Sequence, residues 1–211
     1  MKTLLVAATT LEVLPLTNKF KKDAIPLQKV IALDEGVDLI ITGVGMVATA
    51  FTLGKIFSRK KYDRAINMGI AGSFDRKLNL GDVVQIAKDK FSELGAEDGE
   101  KFIPLDEMGL GVNCVLKPSF TLPHLKTVEG ITVNTVHGNV ASILTIQKNL
   151  NPQTESMEGA AFFYACKQFK IPCVQVRSLS NYVERRDKKN WKIDNAIQNL
   201  NDYVINFLYK K

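Results

Sequence analysis

The chain has 211 residues, 45% apolar and 24% charged, the balance of one soluble globular domain rather than a disordered or fibrous chain. Its formal net charge of +6 is spread over scattered lysines (Lys21, Lys22, Lys60, Lys61, Lys188, Lys189, Lys210, Lys211). That reads as a solvated basic surface, favourable to a small anionic substrate, without the concentrated basic stripe and interleaved aromatics of a nucleic-acid binder.

Three cysteines, Cys114, Cys166 and Cys173, form no CxxC, and the two histidines, His124 and His137, stand alone. Neither a disulfide framework nor a metal site is indicated. The opening MKTLLVAATTLEVLPL carries an apolar run only over residues 4–8, and Glu12 interrupts the stretch after it. It is too short for a signal peptide, and no stretch is long enough to span a bilayer. The expectation is a reduced, cytoplasmic enzyme or binding protein.

In chain order, residues 3–8 and 37–42 read as buried strands, the second running into Gly43-Val44-Gly45 and then a helix to about Lys60. Residues 64–68 read as a strand ending in a Gly69-Ile70-Ala71-Gly72 loop, and 82–87 as another strand. Residues 89–125, with four glycines and three prolines, read as long loops forming a lid or a subunit contact. An alternating strand is expected over 131–136, a helix over 158–169, a central strand over 171–179, and a helix over 188–209. Apolar strands alternating with helices predict an α/β fold: one domain, residues 1–211, with a mixed central sheet flanked by helices on both faces. Ligands in such sheets sit at the carboxyl ends of the strands, where Thr9-Thr10, Gly43–Gly45, Gly69–Gly72 and Ser180-Asn181 fall.

Glu12 comes soon after the first strand, where it reads either as a first-turn helix carboxylate or as a catalytic group. Gly43-Val44-Gly45 is not a GxGxxG, because position 48 is Ala, and there is no Walker A lysine. Glu158, at the start of an apolar helix, is either a capping carboxylate or an acceptor for vicinal hydroxyls such as those of ribose.

Taken in order, these segments resemble the purine nucleoside phosphorylase/nucleosidase superfamily over nearly the whole chain. Asn67-Met68-Gly69-Ile70-Ala71-Gly72 resembles its G-x-A-G loop, and Leu80-Gly81-Asp82-Val83-Val84 its L-x-G-D-[VI]-V motif. Ser156-Met157-Glu158-Gly159-Ala160-Ala161 resembles its ribose motif, and Val176-Arg177-Ser178-Leu179-Ser180-Asn181 the strand that ends at the purine. Within the superfamily, Asn181 and the charged loop to Trp191 look most like the futalosine hydrolase family. Methylthioadenosine/S-adenosylhomocysteine nucleosidases carry Asp where this chain has Asn181.

The resemblance implies two catalytic residues. Glu12 would deprotonate the attacking water, and Asn181 would donate to the N7 and O6 acceptors of a 6-oxopurine with its two amide N–H groups. The implied substrate-binding residues are Met157 under the sugar, Glu158 on its hydroxyls, Ser180 placing the loop or contacting the base, and Ile70 and Gly69. Ile70 stands where a Ser or Thr donor to phosphate is common, and no Arg precedes Gly69, which favours water over phosphate. Arg59, Arg64 or a second subunit remain other sources of charge. Arg185 and Arg186 read either as partners for the aryl carboxylate of futalosine or as solvated loop charges. Trp191 reads as helix-face packing, and Phe102, Phe120 and His137 as candidates for the pocket border.

The resemblance implies no cofactor and no metal. The implied partners are a purine nucleoside and a second copy of the chain, in a homodimer or larger homo-oligomer, with no nucleic acid and no membrane. A methylthioadenosine/S-adenosylhomocysteine nucleosidase, a purine nucleoside phosphorylase and a nucleoside-binding protein without turnover are the alternatives.

Overall fold

The backbone is organised around alternating burial. The first strand, β1 (Thr3–Ala7), is buried along its whole length. Leu4 and Val6 enter one apolar cluster, while Leu5 and Ala7 enter another on the opposite face. A strand with side chains on two faces can fill both clusters only if helices cover both. The computed structural model describes residues 1–22, 25–99, 101–110 and 114–209; Lys210 and Lys211 of the scattered lysines lie outside this set.

The other elements are, in order, α1 (Leu14–Lys19), β2 (Val30–Asp34), β3 (Val37–Ile41), α2 (Met46–Phe57), β4 (Arg64–Ser73) and β5 (Val83–Phe91). Then come β6 (Gly95–Asp98), β7 (Lys101–Pro104), β8 (Val115–Leu116), β9 (Lys126–Thr132) and α3 (Val140–Leu150). The last are β10 (Thr154–Ser156), α4 (Gly159–Gln168), β11 (Cys173–Tyr182) and α5 (Ile193–Tyr209). The main sheet runs β10-β9-β5-β11-β4-β1-β3-β2, with β8 on β5. It is mixed: β1 is parallel to β3 and β4, and β11 is parallel to β4 but antiparallel to β5. Helices cover both faces as predicted, α2 and α4 packing in the cluster of Leu53, Phe57, Phe162 and Phe163, and α1 and α5 in that of Leu16, Leu200 and Val204.

β10 also pairs with β4, antiparallel, so that β4, β11, β5, β9 and β10 close on themselves. This closure corrects three expectations. Gly69–Gly72 is not a loop but part of β4, because β11 pairs it on one side and β10 takes up Gly72 and Ser73 on the other. Ser180-Asn181 likewise belongs to β11, which passes a bulge between Leu179 and Asn181. The strand expected over 131–136 is β9, which pairs with β5 from Lys126 and ends at the Phe91–Thr132 pair.

Residues 89–125 are more ordered than long loops would be: they hold the end of β5, the β6–β7 hairpin and β8. Among the described residues, no helix is long and apolar enough to cross a membrane.

Candidate active site

The carboxyl ends of β1, β4 and β11 open on a cavity of about 400 Å³. Glu12, Ile70, Met157, Glu158, Ser180 and Asn181, all expected from sequence, line it, whereas Gly69 does not. A cavity of about 620 Å³ at the amino end of β11 is lined by Lys117, Lys170, Cys166 and Cys173 among others, with no carboxylate. The buried carboxylates are therefore gathered in the first.

Glu12 sits in a single 3-10 turn after β1 and is 7% exposed. Its Oε2 accepts from the backbone N–H of Thr9 at 3.0 Å and from Thr9 Oγ1 at 3.1 Å, and its Oε1 accepts from Ile70 N–H at 3.1 Å. Burial, with the nearby charge of Glu158, pushes its carboxyl above the ordinary range, while Arg177 and the two backbone donors pull the other way. The turn is clamped from α5: Asn201 Nδ2 donates to Glu12 O at 2.8 Å, and Asn201 Oδ1 accepts from Leu16 N–H at 3.1 Å.

Glu158 is the residue before α4, yet its side chain does not cap that helix. Its Oε1 instead accepts from Gly45 N–H at 3.0 Å. Gly43 and Gly45 have φ of 89° and 95°, a region that glycine enters without strain, and this turn aims an amide at the carboxylate. No other hydrogen bond to the Glu158 carboxylate is made among the described residues, so its second oxygen is available in the cavity.

The Asn181 amide is orientated by its neighbours. Ser180 Oγ donates to Asn181 Oδ1 at 2.9 Å, which takes one of the two acceptor positions of the amide oxygen. Asn181 Nδ2 donates one N–H to Tyr182 O at 3.0 Å. One N–H rather than two is left for a ligand, which corrects the expectation that both would meet a purine edge.

Sequence reasoning missed Arg177. It is 2% exposed, and its Nη2 donates to Asn67 Oδ1 and, at 3.2 Å, to Gln175 Oε1. Gln175 Nε2 donates in turn to buried Asp89 at 2.9 Å. The signal was present: a cation in a strand expected to be buried, among Val174, Val176 and Leu179, needs polar partners. Arg64 is not at the site, since its Nε donates to Thr3 Oγ1 at the other end of β1.

Glu155 and Trp191 were also missed as cavity residues. His137 does border it, and its Nδ1 lies 2.6 Å from Glu155 Oε2. Trp191 precedes α5 rather than packing on its face; it lines the cavity with Arg186, whose guanidinium carbon lies 5.0 Å from the ring centre. Arg185, Phe102 and Phe120 are not in the lining. Among the described residues, no three His, Cys, Asp or Glu side chains are grouped to hold a metal ion.

Three buried carboxylates, Glu12, Glu155 and Glu158, and an orientated amide thus share one cavity, and known proteins of the same build bear on what it does. Residues 5–208 match the family model of the phosphorylase superfamily. The chain belongs to the phosphorylase superfamily. A futalosine hydrolase of Streptomyces coelicolor is 29% identical over 82% of this chain and 78% of its own. A 5'-methylthioadenosine/S-adenosylhomocysteine nucleosidase of Colwellia psychrerythraea is 26% identical over 82% of this chain and 80% of its own. The solved futalosine hydrolase of Helicobacter pylori shares the fold, with a TM-score of 0.82 over 100% of this chain and 98% of that one at 14% identity. Superfamily relatives of both nucleosidase kinds therefore stand at comparable identity.

Proposed function

We propose that this chain is a futalosine hydrolase, an N-glycosyl hydrolase formed by residues 1–211 as one nucleosidase domain. It would split futalosine into hypoxanthine and dehypoxanthine futalosine, a step of menaquinone biosynthesis. N-glycosidic hydrolysis is what the two kinds of relatives have in common. The choice between them rests on one observation: Ser180 holds the amide oxygen of Asn181 and Tyr182 O takes one amide N–H, so the second N–H is offered to a ligand as a donor. A donor suits the N7 and O6 acceptors of a 6-oxopurine and opposes the amino group of adenine.

Glu12 acts as general base. Its raised pKa and its fixed oxygens suit it to take a proton from water as that water adds to C1′ of an oxocarbenium-like ribosyl group. Glu158 accepts from the 2′- and 3′-hydroxyls, and Met157 packs under the sugar. Asn181 has no acidic proton to give at neutral pH, so it assists by hydrogen-bonding charge that develops on the departing base. Arg177 Nη2 is held by Asn67 and Gln175, which sets the guanidinium charge near Glu12.

Trp191 and Arg186 form an aromatic and cationic wall suited to the aryl carboxylate of futalosine. Exposed Val47 and Phe51 on α2, with Val140 and Leu144 on α3, support a homodimer or larger homo-oligomer.

The adenine-releasing alternative is favoured by the similar identity of relatives of that kind. Exchanging Asn181→Asp tests the choice. The exchange is expected to depress release of hypoxanthine and to raise release of adenine from methylthioadenosine. An unaltered base preference would count against the proposal.

A further inference from the structure

Asn181 has one spare N–H, whereas a 6-oxopurine presents both an O6 acceptor and an N1–H donor on the same edge. Something else has to accept from N1–H, or a buried donor is left without a partner. The sheet brings one acceptor to this place. Gly72 of β4 pairs with Asn181 of β11 on one side and with Glu155 of β10 on the other. The three residues form one row across three neighbouring strands, so Asn181 and Glu155 stand about 10 Å apart at the backbone. The residue between them has no side chain. A Cβ on Gly72 would lie 2.9 Å from Val183 Cγ2, 3.4 Å from Asn181 Nδ2 and 3.5 Å from Glu155 Cγ, so the Asn181 and Glu155 side chains converge above the glycine with a Val183 methyl beside them. Both line the same cavity.

We infer that Glu155 accepts the N1–H of the base whose O6 or N7 edge Asn181 contacts, so that the two residues flanking Gly72 together select a 6-oxopurine. This deepens the hypoxanthine reading above and rests on it.

Three properties fit Glu155 to the task. It is 4% exposed, so a hydrogen bond to it meets little competition from water. Its carboxylate is anchored, Oε1 accepting from His137 N–H at 3.0 Å and Oε2 lying 2.6 Å from His137 Nδ1. Each carboxylate oxygen still has a second acceptor position. An adenine would turn the lone pair of its N1 toward this carboxylate and its amino group toward the Asn181 donor, an unfavourable pairing at both atoms. Loss of water to Glu155 on closing the cavity would sharpen the difference.

The competing account is that Glu155 serves only to hold His137 and its segment. Calorimetric binding of the free bases hypoxanthine and adenine separates the two accounts, without dependence on the ribose or its substituent. Glu155→Ala is expected to weaken hypoxanthine binding by about 10- to 100-fold and to leave adenine binding nearly unchanged. Glu155→Gln, whose amide can turn an N–H toward N1, is expected to move the preference toward adenine. His137→Asn, which removes the ring but keeps the carboxylate, should leave the ratio of the two affinities as it is in the wild type. A wild type that prefers hypoxanthine, with Glu155 variants that are folded and keep that preference, would overturn the role of Glu155 alone. That role would equally be overturned if His137→Asn changed the ratio as much as Glu155→Ala. A wild type that prefers adenine would overturn both this role and the Asn181 reading beneath it.

Discussion

Arg177 and Glu12 meet over Gly69, although they are 165 positions apart in the chain. A Cβ at Gly69 would overlap Arg177 Nη1 and stand 2.6 Å from Glu12 Oε1. The glycine is thus needed for the side chains it admits, since β4 is ordinary strand there. The guanidinium opposes the upward push that burial exerts on the Glu12 carboxyl.

Gly69→Ala is therefore expected to displace both groups with the sheet intact. A shift on the order of 1 Å at a reacting group costs about 100-fold in rate. Steady-state kinetics should show a loss of kcat/KM of that size, with an unchanged circular dichroism spectrum. Full activity in the alanine variant would mean that the placement of Arg177 and Glu12 around Gly69 is dispensable.

The acidity of Glu12 carries a sign. A general base works ionised, and burial raises this carboxyl above the ordinary value of 4.5. Activity should be lost as pH falls through the raised pKa, so the acid limb of kcat/KM lies above the range of a free glutamate. Glu12→Gln should remove that limb and lower the rate by about 100- to 10,000-fold. A wild-type profile that stays flat through the ordinary carboxylate range would contradict the assignment.

Asn201 links the catalytic turn to α5. It makes two bonds to the segment of Glu12 and Leu16, and Nδ2 also donates to Ile197 O at 2.7 Å. Asn201→Ala strands buried backbone groups, at about 1–3 kcal/mol for each unsatisfied group. The thermal unfolding midpoint should fall by about 2–4 °C for each kcal/mol lost. Because the turn loosens while Glu158, the residue proposed to hold the sugar, is left in place, kcat should fall more than KM rises.

Much of this arrangement was legible in the sequence. The apolar runs at 3–8 and 37–42 marked strands buried on both faces, and two carboxylates of the site, Glu12 and Glu158, stood next to element boundaries. Where a strand stops was harder to read. β4 and β11 run on past their apolar runs because partners from distant sequence keep pairing them, and no local pattern encodes that. β10 has three residues, too few for any periodicity. Glu155 was hidden for the same reason: its value comes from standing opposite Gly72 in a pairing that sequence order does not announce. Arg177 was the one omission with a visible signal, a charge within a strand expected to be buried.

The wall of Trp191 and Arg186 yields a substrate-dependent prediction. If it holds the aryl carboxylate, Arg186→Ala should raise KM for futalosine by about tenfold or more, the loss of a charged hydrogen bond. Inosine, which lacks that group, should be cleaved with nearly unchanged KM. Equal effects on both substrates would assign Arg186 to the packing of Trp191 instead.

The most direct measurement is chromatographic identification of the base released from futalosine, inosine and methylthioadenosine, with and without phosphate. Hypoxanthine from futalosine in the absence of phosphate is the predicted result. Adenine from methylthioadenosine with futalosine untouched, or release that requires phosphate, would contradict the account.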